Sequence, residues 1–428
     1  MKKTSLWILQ LLIFIACTPT EQTSDRPTAM DDIAERYVKL MLEIGQYDSD
    51  FIDAYYGPEE WKPEIKKDTF PSGDFIERAN NLISQIQSVE GDKDRKFVLV
   101  KQLIAARTKV EIINGKVYAF DEEAKLLYDV EPPSYPESYF DSLLLDLENA
   151  LPGEGNLTDR YNEFVDQFII PKDRLDTVFQ TAIVEARSRT MSRYDLPENE
   201  NFVLEYVNNK SWSGYNYYQG NSQSLIQINT DLPIKISRAI DLACHEGYPG
   251  HHVFNALLEQ NLVNNKGWVE YSVYPLFSPQ SLIAEGSANY GIDVAFPGEE
   301  RIRYEKEVLF PLAGLDASQA DKYYEIQALI GKLSYAGNEA ARMYLNGEIS
   351  REEAAEWMVK YQLNEYERAL QRTRFFDQYR SYVINYNLGK DLVANYVESQ
   401  GGTTDQPEKR WEVFKELLSN PNTASTIQ

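Results

Sequence analysis

The segment HEGYPGHH, His245 to His252, holds all three histidines of a 428-residue chain and surrounds Pro249 with two glycines, Gly247 and Gly250. An apolar run with helical spacing, ISRAIDLACHE (Ile236 to Glu246), leads into it. Proline in a helix interior costs about 3 kcal/mol and each glycine up to about 1 kcal/mol. The helix that carries His245 therefore cannot run unaltered to His252. It must bulge or break between Gly247 and Gly250.

The chemistry of the segment asks for the same break. A His-Glu pair closing an apolar helix is half of a zinc-hydrolase device. In its regular form a second histidine follows the first by four residues on the same helix face, and the glutamate activates a water polarised by the metal. Here that fourth position is Pro249, which has no ligand atom. On a straight helix His251 points about 120° away from His245, and His252 lies ~10 Å further along the axis. Both nitrogens must come within ~2.1 Å of one ion. Looping GYPG out as a two-residue insertion into the usual spacing brings a second histidine back. His251, which follows a glycine, is the preferred ligand and His252 the alternative. The histidine left over is placed to bond a reacting oxyanion or a substrate carboxylate. Cys244 reads as a small buried residue on the core side of the helix.

A catalytic zinc takes three protein ligands and keeps one position open. The segment SPQSLIAEGSANYGIDV supplies the third. Ser278 and Pro279 are a good helix start. Glu285 sits mid-helix between Ala284 and Gly286, where an unpaired carboxylate is costly to bury. Asn289, four residues on and on the same face, is expected to orient His245.

These motifs resemble those of a bacterial zincin-like, gluzincin-type family long catalogued as a domain of unknown function. Its signature, His-Glu-x-x-Pro-Gly-His-His followed by a helix with Glu-Gly-x-Ala-x-Tyr, reads here as HEGYPGHH and EGSANY, Glu285 to Tyr290. The family's Tyr-x-x-Gly-Lys element is matched by YNLGK, Tyr386 to Lys390. Two positions depart from the pattern. Ser287 stands where members often carry Trp, and RSYVIN (Arg380 to Asn385) replaces a Pro-Gly-Gln segment. The resemblance implies a mostly helical, metal-dependent peptidase body. Zn2+ is then held by His245, His251 and Glu285, with Glu246 as general base. Tyr386 is the first candidate to bond the oxyanion and His252 the second.

The balance of 43 Lys+Arg against 67 Asp+Glu, formally −24, repels a phosphate backbone and excludes nucleic acid as a partner. The amino-terminal MKKTSLWILQLLIFIAC carries Lys2 and Lys3, then an apolar run too short to span a bilayer. It ends at Cys17 in FIAC, which resembles a lipobox. We therefore expect residues 1–17 to be a lipoprotein signal peptide and 18–28 a flexible tether. Cys17 becomes the lipid anchor to a bacterial membrane, with the body outside the cytoplasm and no transmembrane span. Cys244 is the only other cysteine, so no disulfide is expected.

Helical periodicity dominates residues 29–195 and returns after the histidines. The first helix carries Ile33, Tyr37, Leu40, Met41 and Ile44 on one face, with Thr28 and Asp31 as its cap. Between the two helical stretches, Asn201–Val207 and Ser222–Asn229 read as strands. SLIQIN (Ser224 to Asn229) is expected to offer an edge to an extended peptide. The fold class is mainly α: a large helical body enclosing a cleft, with a small β-sheet just before the site helix. Residues 196–400 form the catalytic part, and 401–428 a tail with a short helix. The function expected is peptide-bond hydrolysis by a lipid-anchored zinc peptidase. The alternatives are a non-catalytic peptide- or metal-binding surface lipoprotein and a metal-dependent amidase.

Overall fold

A computed structural model describes residues 28–428 apart from positions 65, 67 and 211. The expected signal peptide with Cys17, and the expected tether up to residue 27, lie outside the described residues. The molecule is mainly helical with two small sheets. Most buried apolar side chains from Met30 to Ile427 form one large cluster, and Phe179, Ile226, Ile228 and Leu242 form a second, small one.

The first helix, Ala29–Gly45, begins with the expected capping box: Thr28 and Asp31 each accept a hydrogen bond from the other's backbone N–H. Ile33, Tyr37, Leu40, Met41 and Ile44 are all buried. The helix is tied to distant chain through Arg95, which is buried. Its guanidinium pairs with Glu270 (Nε to Oε1, 2.6 Å; Nη2 to Oε2, 3.0 Å) and with Asp31 (Nη1 to Oδ1, 2.9 Å). Removing one partner of a buried ion pair strands the other charge. Arg95→Ala is therefore expected to lower stability by about 3–5 kcal/mol, read as a fall in the denaturant midpoint.

The larger sheet has the order β2–β4–β3, formed by β2 (Asn201–Val207), β3 (Gly214–Gly220) and β4 (Gln223–Asn229). Strand β4 runs parallel to β2 and antiparallel to β3. This corrects the expectation for SLIQIN, which lies in the central strand with both flanks already bonded. The free edges belong to β2 and β3. The third strand, GYNYYQG, is bounded by glycines and reads locally as turn, which hides it from a pattern search. A second sheet pairs β1 (Ile52–Tyr55) with β5 (Val273–Pro275), antiparallel.

The helix Pro279–Ala295 crosses the helix Ile384–Ser399 at Gly286 and Gly389. A Cβ on Gly286 would overlap the Gly389 carbonyl, and one on Gly389 would come 2.7 Å from Leu282 O. Only paired glycines let the two backbones approach this closely. The crossing sets Glu285 beside Tyr382 and Tyr386. The helix Pro407–Ser419 packs behind it, with Phe414 edge-on to Tyr290 at 5.7 Å between ring centroids.

Candidate metal centre

The break foreseen in the sequence takes a definite form. The helix Ser237–Leu242 widens into a five-residue π turn, Ala243–Gly247. The chain then loops through Tyr248–Gly250, with Tyr248 N–H bonded to Ala243 O at 3.0 Å and Gly250 N–H to Cys244 O at 2.9 Å. A new helix, His251–Leu258, starts immediately. Gly250 is required, because a Cβ there would overlap the His245 carbonyl oxygen. Cys244 is free and buried, as expected.

The loop brings His251 face to face with His245, their Nε2 atoms 3.1 Å apart and the rings nearly perpendicular. Glu285 closes the group. Its Oε2 lies 3.3 Å from His245 Nε2 and 3.7 Å from His251 Nε2. These three residues form a candidate metal-binding group. Two observations show that the donors fit a cation. The edge of a tetrahedron with bonds of about 2.0–2.1 Å is about 3.3 Å, close to all three separations. Glu285 Oε2 is also buried without a hydrogen-bond partner, and a cation would satisfy it.

Without a cation the group holds protons instead. Burial alone would raise the Glu285 carboxyl, but His245 and His251 reverse this and hold it well below the usual carboxylate range. Burial alone would lower His251. The Glu285 carboxylate reverses this too, with Glu246 and Asp53 adding, and His251 is raised to about 9. A metal must displace that proton. Apparent metal affinity is thus expected to keep rising above pH 7, where an ordinary histidine is already neutral, and to level off near pH 9. Chelator competition at fixed ionic strength checks this.

Asn289 fixes the proton of the first ligand. Its Nδ2 donates to Tyr386 O at 3.0 Å, so its Oδ1 can only accept, and it faces His245 Nδ1 at 3.1 Å. To bind a metal, His245 therefore keeps its proton on Nδ1 and presents a bare Nε2 to the group. Removing such a partner typically costs about 10–100-fold in metal affinity. Asn289→Ala is expected to lose that much, measured by chelator competition.

Glu246 is 4% exposed. Its backbone carbonyl accepts from Asn216 Nδ2 at 2.7 Å, and its carboxylate lies against Gly214 of β3, where a Cβ would come 2.7 Å from Oε1. Tyr386 is half-buried and within electrostatic reach of Glu285 and Glu246. Burial raises its hydroxyl well above the ordinary value, so it remains a protonated donor. Tyr382, inside the RSYVIN segment, donates to Glu285 Oε1 at 2.8 Å and packs edge-on to Tyr386. Sequence reasoning missed it; its place one turn ahead of Tyr386 on a continuous helical path was the available signal.

His252 stands apart. It is fully buried, with Nδ1 at 2.8 Å from Ser224 Oγ and Nε2 at 3.1 Å from Glu200 Oε2. Glu200 also accepts from Tyr248 Oη at 2.6 Å and pairs with Arg187. Both ring nitrogens are taken, so neither turns toward the His245–Glu285 group. In place of the ligand and oxyanion roles left open for it, His252 ties the ligand loop to the β2–β4 side of the sheet.

No family model and no curated protein sequence matches the chain. Among solved structures it is similar to a lipoprotein candidate from Colwellia psychrerythraea, at 16% identity over 82% of this chain with a TM-score of 0.49. It is also similar to a lipoprotein candidate of unknown function from Shewanella oneidensis, at 12% identity over 82% of this chain with a TM-score of 0.42. The chain spans 65% of the Colwellia protein and 73% of the Shewanella protein. No helix of the described residues is long and apolar enough to cross a membrane.

Proposed function

We propose that the chain is a zinc-dependent peptidase, held at a bacterial membrane by lipid on Cys17. The observation that carries the reading is the convergence of His245 Nε2, His251 Nε2 and Glu285 Oε2 beside the buried carboxylate of Glu246. A purely binding protein has no use for that fourth group. A zinc ion held by the three donors supplies Lewis acidity, acidifying water and polarising a carbonyl. Glu246 accepts the proton of the attacking water and delivers it to the leaving amine. The Tyr386 hydroxyl donates to the carbonyl oxygen as charge gathers there. Tyr382 and Asn289 keep Glu285 and His245 in register with each other.

The test uses the chain without residues 1–17. Elemental analysis is expected to find about one zinc per chain. A mixed peptide pool is expected to be cleaved, with cleavage lost on chelation and restored by Zn2+. Material with full metal that cleaves no peptide bond, but does hydrolyse simple amides, would turn the assignment to an amidase.

A further inference from the structure

Three aspartates lie close together at positions 48, 50 and 53. Asp48 is paired with Lys109 Nζ at 3.0 Å, and Asp50 accepts from Gln378 Nε2 at 2.7 Å. Asp53, on β1, is different. Its Oδ1 accepts from the neutral Tyr215 Oη at 2.9 Å, and among the described residues no lysine, arginine or histidine pairs with it. Tyr215 directly follows Gly214, the residue against which the Glu246 carboxylate packs. Asp53 itself is within electrostatic reach of His251, Glu285 and Glu246. Tyr274 and Tyr379 are also within electrostatic reach of it.

Asp53 is therefore a half-buried carboxylate with one oxygen free of hydrogen bonds and no direct ion-pair partner, the charges acting on it being those of His251, Glu285 and Glu246. Burial raises its carboxyl to about 6, the Tyr215 bond and His251 opposing this, so at neutral pH it is held as an anion at a cost. A cation brought by a ligand relieves that cost. An ammonium also brings N–H donors for the free oxygen. In a peptide, the ammonium nearest a scissile bond at Glu246 is either a free amino terminus or a lysine side chain. The terminus needs no particular side chain, so it is the source we favour.

We propose that Asp53 is a specificity-determining residue that binds the ammonium of a free peptide amino terminus, so that the site takes peptides by their amino ends. The proposal rests on the peptidase reading. The test is a binding measurement on zinc-loaded Glu246→Gln protein. A lysine-free tripeptide mixture and the same mixture N-acetylated are offered together, and the retained species are counted by mass spectrometry. We expect at least tenfold preference for the free amines, falling to near unity in the Asp53→Asn,Glu246→Gln double variant. Should that variant fail to fold, Tyr215→Phe in the same background is expected to narrow the preference instead. Equal retention of the two mixtures, or retention of neither, overturns the proposal. So does capture of an acetylated lysine-containing mixture as strong as that of the free amines, which assigns Asp53 to side chains. Wild-type protein that shows the preference but cleaves nothing upholds amine recognition and refutes the peptidase reading alone.

Discussion

Glu246→Gln is expected to keep one metal per chain and to lower peptide cleavage by about 10²–10⁴-fold, the usual contribution of a positioned general base. The substitution is nearly isosteric. Glutamine fills the same buried volume against Gly214, and the backbone carbonyl that receives Asn216 is untouched. What disappears is the ability to take a proton. The loss should fall on kcat, with KM little changed, because the group acts in the transition state. Glu285→Gln is the counterpart. It removes the anion that balances two imidazoles at 3.3 and 3.7 Å, so metal and activity should vanish together. Metal loss from Glu246→Gln would make that residue a ligand and reverse the assignment.

The second large effect is expected at Gly250. A methyl there overlaps the His245 carbonyl oxygen and crowds that of Cys244, and backbone cannot step aside as a flexible side chain can. Gly250→Ala should cost about 3 kcal/mol or more, at the upper end for overpacked sites, and should release the metal because the His251 loop is displaced. Gly214→Ala is the informative contrast. Its Cβ meets the ends of the Glu246 and Leu242 side chains, each at 2.7 Å. Both can rotate away, so stability should fall less while activity falls through the displaced carboxylate. Denaturant midpoints and metal content, measured on both variants, separate the two cases.

The parts of this architecture that the sequence shows plainly are local ones. Thr28 with Asp31, the buried face of the first helix, and the placing of His245, Glu246, Glu285 and Asn289 each depend on spacings within a turn or two. The clash between Pro249 and a continuous helix made a break between Gly247 and Gly250 necessary. The π turn itself was a choice among several ways to break. The rest depends on chain segments far apart. Asp53 reaches the site because β1 pairs with β5 more than 200 residues later, and no periodicity announces that pairing. His252 looked like a site residue because it adjoins His251. Its true partners, Ser224 and Glu200, come from the sheet, and consecutive residues at a helix start point in different directions. Strand β3 was hidden by its glycines, and with it the fact that SLIQIN is enclosed on both sides.

The bond from Asn289 to residue 386 goes to the peptide oxygen, not to the phenol. Every amino acid carries that oxygen. The tautomer of the first histidine is thus insured against replacement of the tyrosine, so Tyr386→Phe probes the hydroxyl by itself. One position serves two purposes through chemically independent atoms: its hydroxyl faces the substrate while its backbone keeps the histidine poised.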